Sequence, residues 1–203
     1  MTSIHQLRPF NLRYIVRDSI SIHGEDLRAT HRTAECNFLY IMRENGADEF
    51  GPTPNFAARR ADLVDSGRLA PVRMKTSGYA NVDLWKAADD QARASRPELS
   101  TAMHAVGSLP RNGSLASWRG HITAFCEEQF VRGGMVVDWG LHALRDETGE
   151  FIIPPHVHFL VTSRAWDRRR AMGRWQLGWF TRKEHVRELE SAWYERTGLY
   201  PVV

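Results

Sequence analysis

Two histidines one residue apart, His156 and His158, stand in the apolar, β-branched run "IIPPHVHFLV". Side chains alternate along a strand, so both imidazoles share a face while Val157, Phe159 and Val161 take the other. The run "MVVDWGLHAL" alternates too, setting Asp138, Gly140 and His142 against Val137, Trp139 and Leu141. A polar loop, "RDETGEFIIPP", joins the two runs, which read as an antiparallel hairpin. With their apolar faces matched, His142, His156 and His158 project from one side of the sheet. Three imidazoles a few ångströms apart cannot all be charged. They can stay neutral and offer lone pairs to a divalent metal, leaving coordination positions open as catalytic sites do. The plainer alternative is an ordinary hairpin with partly exposed histidines. Asp138 is a candidate to orient a ligand imidazole from behind, or is simply an exposed strand residue. His104, in the apolar stretch "STAMHAVGSLP", is either a further group near the metal or a satisfied core histidine.

A nucleophile is the second requirement. "GEDLRATHRTAECNFLYIMRENG", residues 24 to 46, reads as a helix with acids at its start and Gly46 past its end. On a helical wheel Leu27, Ala34, Phe38 and Ile41 form one stripe, and Tyr40 falls nearly opposite with Thr33 and Cys36. A phenol there is a surface residue or a group held out towards something. Phenols, with a pKa near 10, attack poorly at neutral pH unless a cation polarises the electrophile, most naturally a phosphate. Histidine-held metal plus tyrosine suggests nucleic-acid strand transfer.

The elements that must position these groups are mixed. Residues 11–17 read as a strand, and "NVDLWKAADDQARAS" as a helix capped by Asn81 or Asp83. "STAMHAVGSLP" reads as a strand, and "SLASWRGHITAFCEEQFVRGG" as an amphipathic helix stopped by Gly133 and Gly134. "TRKE" has capping-box spacing and opens a last helix through Trp193 to Gly198. Residues 47–81 resist assignment, apart from a short helical stretch around "FAARRADLVDSG". Without a regular βαβ rhythm the fold class is α+β, an antiparallel sheet with flanking helices.

The composition sets bounds. A chain of 203 residues with 42% hydrophobic and 25% charged residues is one globular domain, complete or the N-terminal part of a longer protein. The absence of a long apolar run argues against membrane insertion, and two cysteines make no disulfide framework, so the expected compartment is cytoplasmic. Of the 27 basic residues all but Lys75, Lys86 and Lys183 are arginine, the better partner for phosphates and bases. A GC-rich genome would give the same bias. "RAWDRRRAMGRWQLGWFTRK" interleaves Arg164, Arg168, Arg169, Arg170, Arg174 and Arg182 with Trp166, Trp175, Trp179 and Phe180. Such a stretch suits single-stranded DNA, with cations on phosphates and rings on bases. The bland reading is that some of these tryptophans cover the sheet.

From about residue 11 to about 196 the sequence resembles the MobA/MobL (MobQ-type) plasmid relaxases, a branch of the HUH endonucleases. "MVVDWGLHALRDETGEFIIPPHVHFLVTSR" is similar to the family's aspartate-tryptophan strand, first histidine and second histidine strand. "FLYIMRENGA" is similar to its tyrosine motif, and "DLWKAADD" and "SLP" to the helix and strand exit around the central strand. The resemblance implies Tyr40 as nicking nucleophile, with His31 the position a different alignment would favour. It implies His142, His156 and His158 as ligands of Mg²⁺ or Mn²⁺ on one face of a central antiparallel sheet. The activity implied is strand-specific nicking at an origin of transfer with a 5′-phosphotyrosine product. Partners would be single-stranded and origin DNA, relaxosome proteins and a coupling protein. Where many relatives carry an acidic residue in the central strand, this chain reads "MHAVGSLP", with His104. The alternatives are an HUH nickase for replication or transposition, and a non-catalytic DNA-binding accessory protein.

Overall fold

The computed structural model describes residues 9–16, 29, 31–72, 74, 82–95, 100–167, 171–176 and 183–201. Its centre is a five-stranded antiparallel sheet in the order β1-β5-β7-β6-β4. These strands are β1 (Phe10–Ile15), β4 (Leu63–Leu69), β5 (Ala102–Ser108), β6 (Val137–Arg145) and β7 (Phe151–Thr162). Two short pairs, β2 (Ala47–Asp48) with β3 (Gly51–Pro52) and β8 (Arg164–Asp167) with β9 (Ala171–Trp175), stand apart from it. The helices are α1 (Ala34–Met42), α2 (Asp83–Ser95), α3 (Leu115–Gln129) and α4 (Lys183–Thr197).

Alternation along the strands gives the sheet two buried faces. On one, Phe10, Leu12, Met103, Ala105, Val157, Phe159, Val137, Trp139 and Leu141 pack against Ile122 and Phe125 of α3 and Trp193 of α4. On the other, Ile15, Ala102 and Leu160 meet Phe38 and Ile41 of α1 and Leu84 and Trp85 of α2. The α+β class, the antiparallel sheet and the β6–β7 hairpin are as the sequence predicts.

Three boundaries differ. The helix expected over 24–46 is α1, which starts only at Ala34. Thr33 is its N-cap, its hydroxyl accepting from Cys36 N–H, and Asp89 of α2 accepts from the N–H groups of Ala34 and Glu35 at 2.9 Å each. The helix lies between sheet and α2, so Thr33 and Cys36, expected on an outer face with Tyr40, are buried. Leu27, part of the expected stripe, is outside the described residues. The stretch around 56–67 is a 3₁₀ turn, Phe56–Asp62, leading into the edge strand β4. "LVDSGRL" has too few apolar residues to announce a strand, and β4 is recruited by pairing with β6. Finally, β7 begins at Phe151 rather than after the prolines. Pro154 and Pro155 fall where the β6–β7 register shifts and β5 has ended, so their missing N–H groups break no ladder.

Candidate metal centre and nucleophile

The register places His158 beside Gly140 and His156 beside His142 across the β6–β7 pair, all on the α1/α2 face. Their ring centroids lie 4.7 to 5.5 Å apart. Each offers one nitrogen, and these atoms lie within 4.8 Å of one another. Gly140 makes the cluster possible. A Cβ there would come within 2.9 Å of the Ile41 carbonyl oxygen and 2.7 Å of Ile41 Cγ2. Only glycine lets α1 lie this close to β6, and α1 carries Tyr40.

Hydrogen bonds assign the tautomers. Buried Asn37 donates both amide hydrogens, to His31 O at 2.9 Å and Thr33 O at 2.7 Å, which fixes its Oδ1 as an acceptor. His104 Nδ1–H therefore donates to Asn37 Oδ1 at 2.9 Å, leaving Nε2 to accept from His158 Nδ1–H at 2.9 Å. The relay ends on His158 Nε2, a buried lone pair without a partner among the described residues. His156 reaches the same state more simply, its Nδ1–H donating to Pro154 O at 2.8 Å. Burial holds all these rings neutral. It pushes His104 down to about 3 and His158 well below the usual imidazole range, and the neighbouring imidazoles add to both effects. Neutral imidazoles with prepared lone pairs fit a divalent cation.

His142 is held differently. Its Nδ1 accepts from an Arg43 Nη at 2.8 Å, so its Nε2–H donates to Ile41 O at 2.8 Å. Burial first and the Arg43 charge second push it down to about 4. Arg43 is 4% exposed and chelated by Asp62 at 2.7 and 3.0 Å. It also donates to Tyr40 O, and its guanidinium carbon lies 4.8 Å from the Tyr40 ring centroid. Arg43 ends α1 at φ 55°, ψ 45°, the left-handed cap usually given to glycine, at a cost of about 1 kcal/mol.

Tyr40 is half-buried. Its ring lies 5.4 Å from His158, 5.4 Å from His31 and 6.1 Å from His104. It lines a cavity of about 660 Å³ with His156, His158, Asn11, Arg111 and Tyr200. Phenol and imidazole cluster thus meet at one opening. Asp138 is elsewhere engaged: its carboxylate accepts from Arg68 at 2.6 Å twice and from Trp85 Nε1 at 2.7 Å. The imidazole-orienting role considered for it is filled by Asn37 and His104, because Asp138 lies two pairs along the strands from Gly140, beside Trp85 of α2. Asn37, Arg43 and Asp62 went unread in the sequence. A signal existed for two of them: a polar residue inside the apolar helix "CNFLYIM", and an arginine where a helix-ending glycine or asparagine is usual.

Of the expected DNA contacts, Arg174 is exposed on β9. Arg164 donates to Gly173 O at 3.2 Å. Trp166 is packed against the α1/α2 core and Trp175 against the α3/α4 core, so both are half-buried as the bland reading has it. Arg168, Arg169, Arg170, Arg182, Trp179 and Phe180 lie outside the described residues.

A family model described as the MobA/MobL family matches residues 40–195. The chain belongs to the MobA/MobL family. It is a plasmid-transfer relaxase in the general sense that membership carries. Its fold is similar to that of a chain solved for the "Molecular Basis of Vancomycin Resistance Transfer in Staphylococcus aureus". The two share 17% identity and a TM-score of 0.69, over 93% of this chain and 89% of that one. No curated protein matches the sequence. Among the described residues no helix is long and apolar enough to cross a membrane.

Proposed function

We propose that this MobA/MobL chain nicks one strand of plasmid DNA at an origin of transfer, with Tyr40 as nucleophile, and acts in the cytoplasm. One observation carries the reading. A half-buried phenol opens onto the same cavity as two imidazoles whose outward lone pairs are prepared by hydrogen bonds. His142, His156 and His158 would hold the metal, which when bound supplies charge to polarise a phosphate oxygen. Mg²⁺ and Mn²⁺ are the candidates, and an all-imidazole donor set favours Mn²⁺, the softer of the two. The Tyr40 oxygen forms the new P–O bond as the bond to the 3′ oxygen breaks. The phenol gives up a proton to water and the 3′ oxygen takes one back. The phosphotyrosine diester keeps the bond energy, so a 3′ hydroxyl reverses the step. The cavity walls formed by Leu109, Pro154, Pro155 and Leu199 suit an unstacked nucleotide, with Arg111 at hand for a phosphate. Arg164, Arg174 and the arginines on either side of them would track the strand further out.

A labelled oligonucleotide spanning the cognate nick should give a boiling-resistant protein adduct in Mn²⁺ or Mg²⁺ and none in chelator. Tyr40→Phe should abolish the adduct while keeping DNA binding. Persistent attachment by that variant would transfer the role to another residue, His31 first. A wild-type chain that binds DNA but never attaches would be a DNA-binding accessory protein.

A further inference from the structure

The three imidazoles are not equivalent. His156 and His158 each turn a lone pair outwards, whereas both nitrogens of His142 are engaged, Nδ1 by Arg43 and Nε2–H by the Ile41 carbonyl. An arginine has no acceptor, so the Nδ1 contact is unambiguous: the His142 lone pair belongs to a cation already in the protein. A lone pair cannot serve two electrophiles. A divalent ion on His142 would also sit within a few ångströms of a buried guanidinium, where like charges repel strongly.

We propose that Arg43 guards the third corner of the metal site. The protein alone binds its metal through His156 and His158, and His142 joins only when Arg43 gives up its Nδ1. The guard is built to persist. Asp62 chelates the guanidinium through two of its nitrogens, the third donates to Tyr40 O, and the plane faces the Tyr40 ring. Breaking the bond to His142 costs Arg43 one contact and leaves it anchored over the nucleophile. A phosphate oxygen entering beside Tyr40 offers that donor a better acceptor than a neutral imidazole. Metal loading and DNA binding are therefore coupled, each favouring the other by the same factor. The inference rests on the metal-site reading above.

Mn²⁺ binding without DNA, followed by the paramagnetic resonance of the free ion, tests it. The paired variant Arg43→Met with Asp62→Asn removes the guard without stranding a buried charge. It should bind Mn²⁺ about tenfold more tightly than the wild type, whereas a merely structural Arg43 would give unchanged or weaker binding. Unchanged or weaker binding by a folded variant overturns the guard alone, and absence of binding in every form overturns the metal site with it. Should the variant not fold, nitrogen-15 spectra of the wild-type histidine rings during a Zn²⁺ titration decide. His156 and His158 should shift while His142 keeps its Nδ1 lone-pair signature until an oligonucleotide is added. His142 shifting with the other two would end the proposal.

Discussion

The two faces of the sheet each contain a glycine that lets another element approach closely, and the approaches serve different ends. At Gly107 of β5 a Cβ would meet the Trp193 ring at 2.5 Å; at Gly140 of β6 it would meet α1 itself, backbone oxygen included. The first glycine seats a side chain in an apolar core. The second seats α1, which carries Tyr40, against the strand that carries His142. The apolar face is held by area and shape. The other adds to an apolar cluster of its own a set of directed hydrogen bonds among Asn37, His104, His158, His142, Arg43 and Asp62, buried where a broken one costs most.

If that contrast is right, mutations should separate stability from site chemistry by face. Phe159→Ala, in the middle of the α3/α4 core, should cost about 3–5 kcal/mol in denaturant melts, with Mn²⁺ affinity per folded molecule unchanged. A smaller stability effect with altered metal binding would mean that the faces are not separate. Gly107→Ala and Gly140→Ala should each lose about 1–3 kcal/mol from overpacking. Only Gly140→Ala should also lose adduct formation, since the displaced atoms belong to the backbone of α1. Equal adduct yields from the two variants would detach Tyr40 placement from the β6–α1 contact.

The relay gives a third test. Asn37→Ala removes the acceptor that fixes the His104 tautomer, and so frees His158 to turn its lone pair inwards. Loss of an outer hydrogen-bond partner typically costs 10–100-fold in metal affinity. Mn²⁺ binding by this variant should fall within that range, and the His158 ring should show a mixture of tautomers by nitrogen-15 spectroscopy. A single unchanged tautomer would show that the relay does not set it.

Much of this was legible in advance because alternation is a local property. The residues His142, Gly140 and Asp138, and likewise His156 and His158, share their faces by covalent geometry, and a two-strand hairpin needs only its apolar faces to match. The helical wheel set Tyr40 apart from the Ala34, Phe38 and Ile41 stripe, which lies within α1 whatever the helix's start, and the family likeness supplied the reading of its phenol as a nucleophile. What could not be read were partners distant in sequence. Arg43 finds Asp62 across the 3₁₀ turn and His142 from nearly a hundred residues away; Asp138 goes to Arg68 on a strand the sequence hardly signals. Periodicity identifies a face, but not which polar groups across it will pair. Trp166 and Trp175 show the same limit: their interleaving with arginine suits DNA, yet both help to cover a core.

The smallest predicted effect is also the most specific to the polar face. Burial pushes His104 down to about 3, so between that value and the ordinary imidazole range near 6.5 the unfolded chain holds a proton that the folded chain refuses. Stability from this group is complete well above about 6.5 and is lost as the pH falls, by roughly 1 kcal/mol over the first unit below about 6.5. Other titrating groups shift the whole curve, so the difference between two proteins is the useful quantity. His104→Gln can accept from His158 Nδ1–H through its amide oxygen but carries no titrating group. Relative to the wild type it should therefore lose about 1.4 kcal/mol less stability between pH 7.5 and pH 5.5. Parallel curves for the two proteins would mean that His104 takes up its proton without unfolding, through local opening of the α1 face. The relay would then be a looser device than its hydrogen-bond lengths imply.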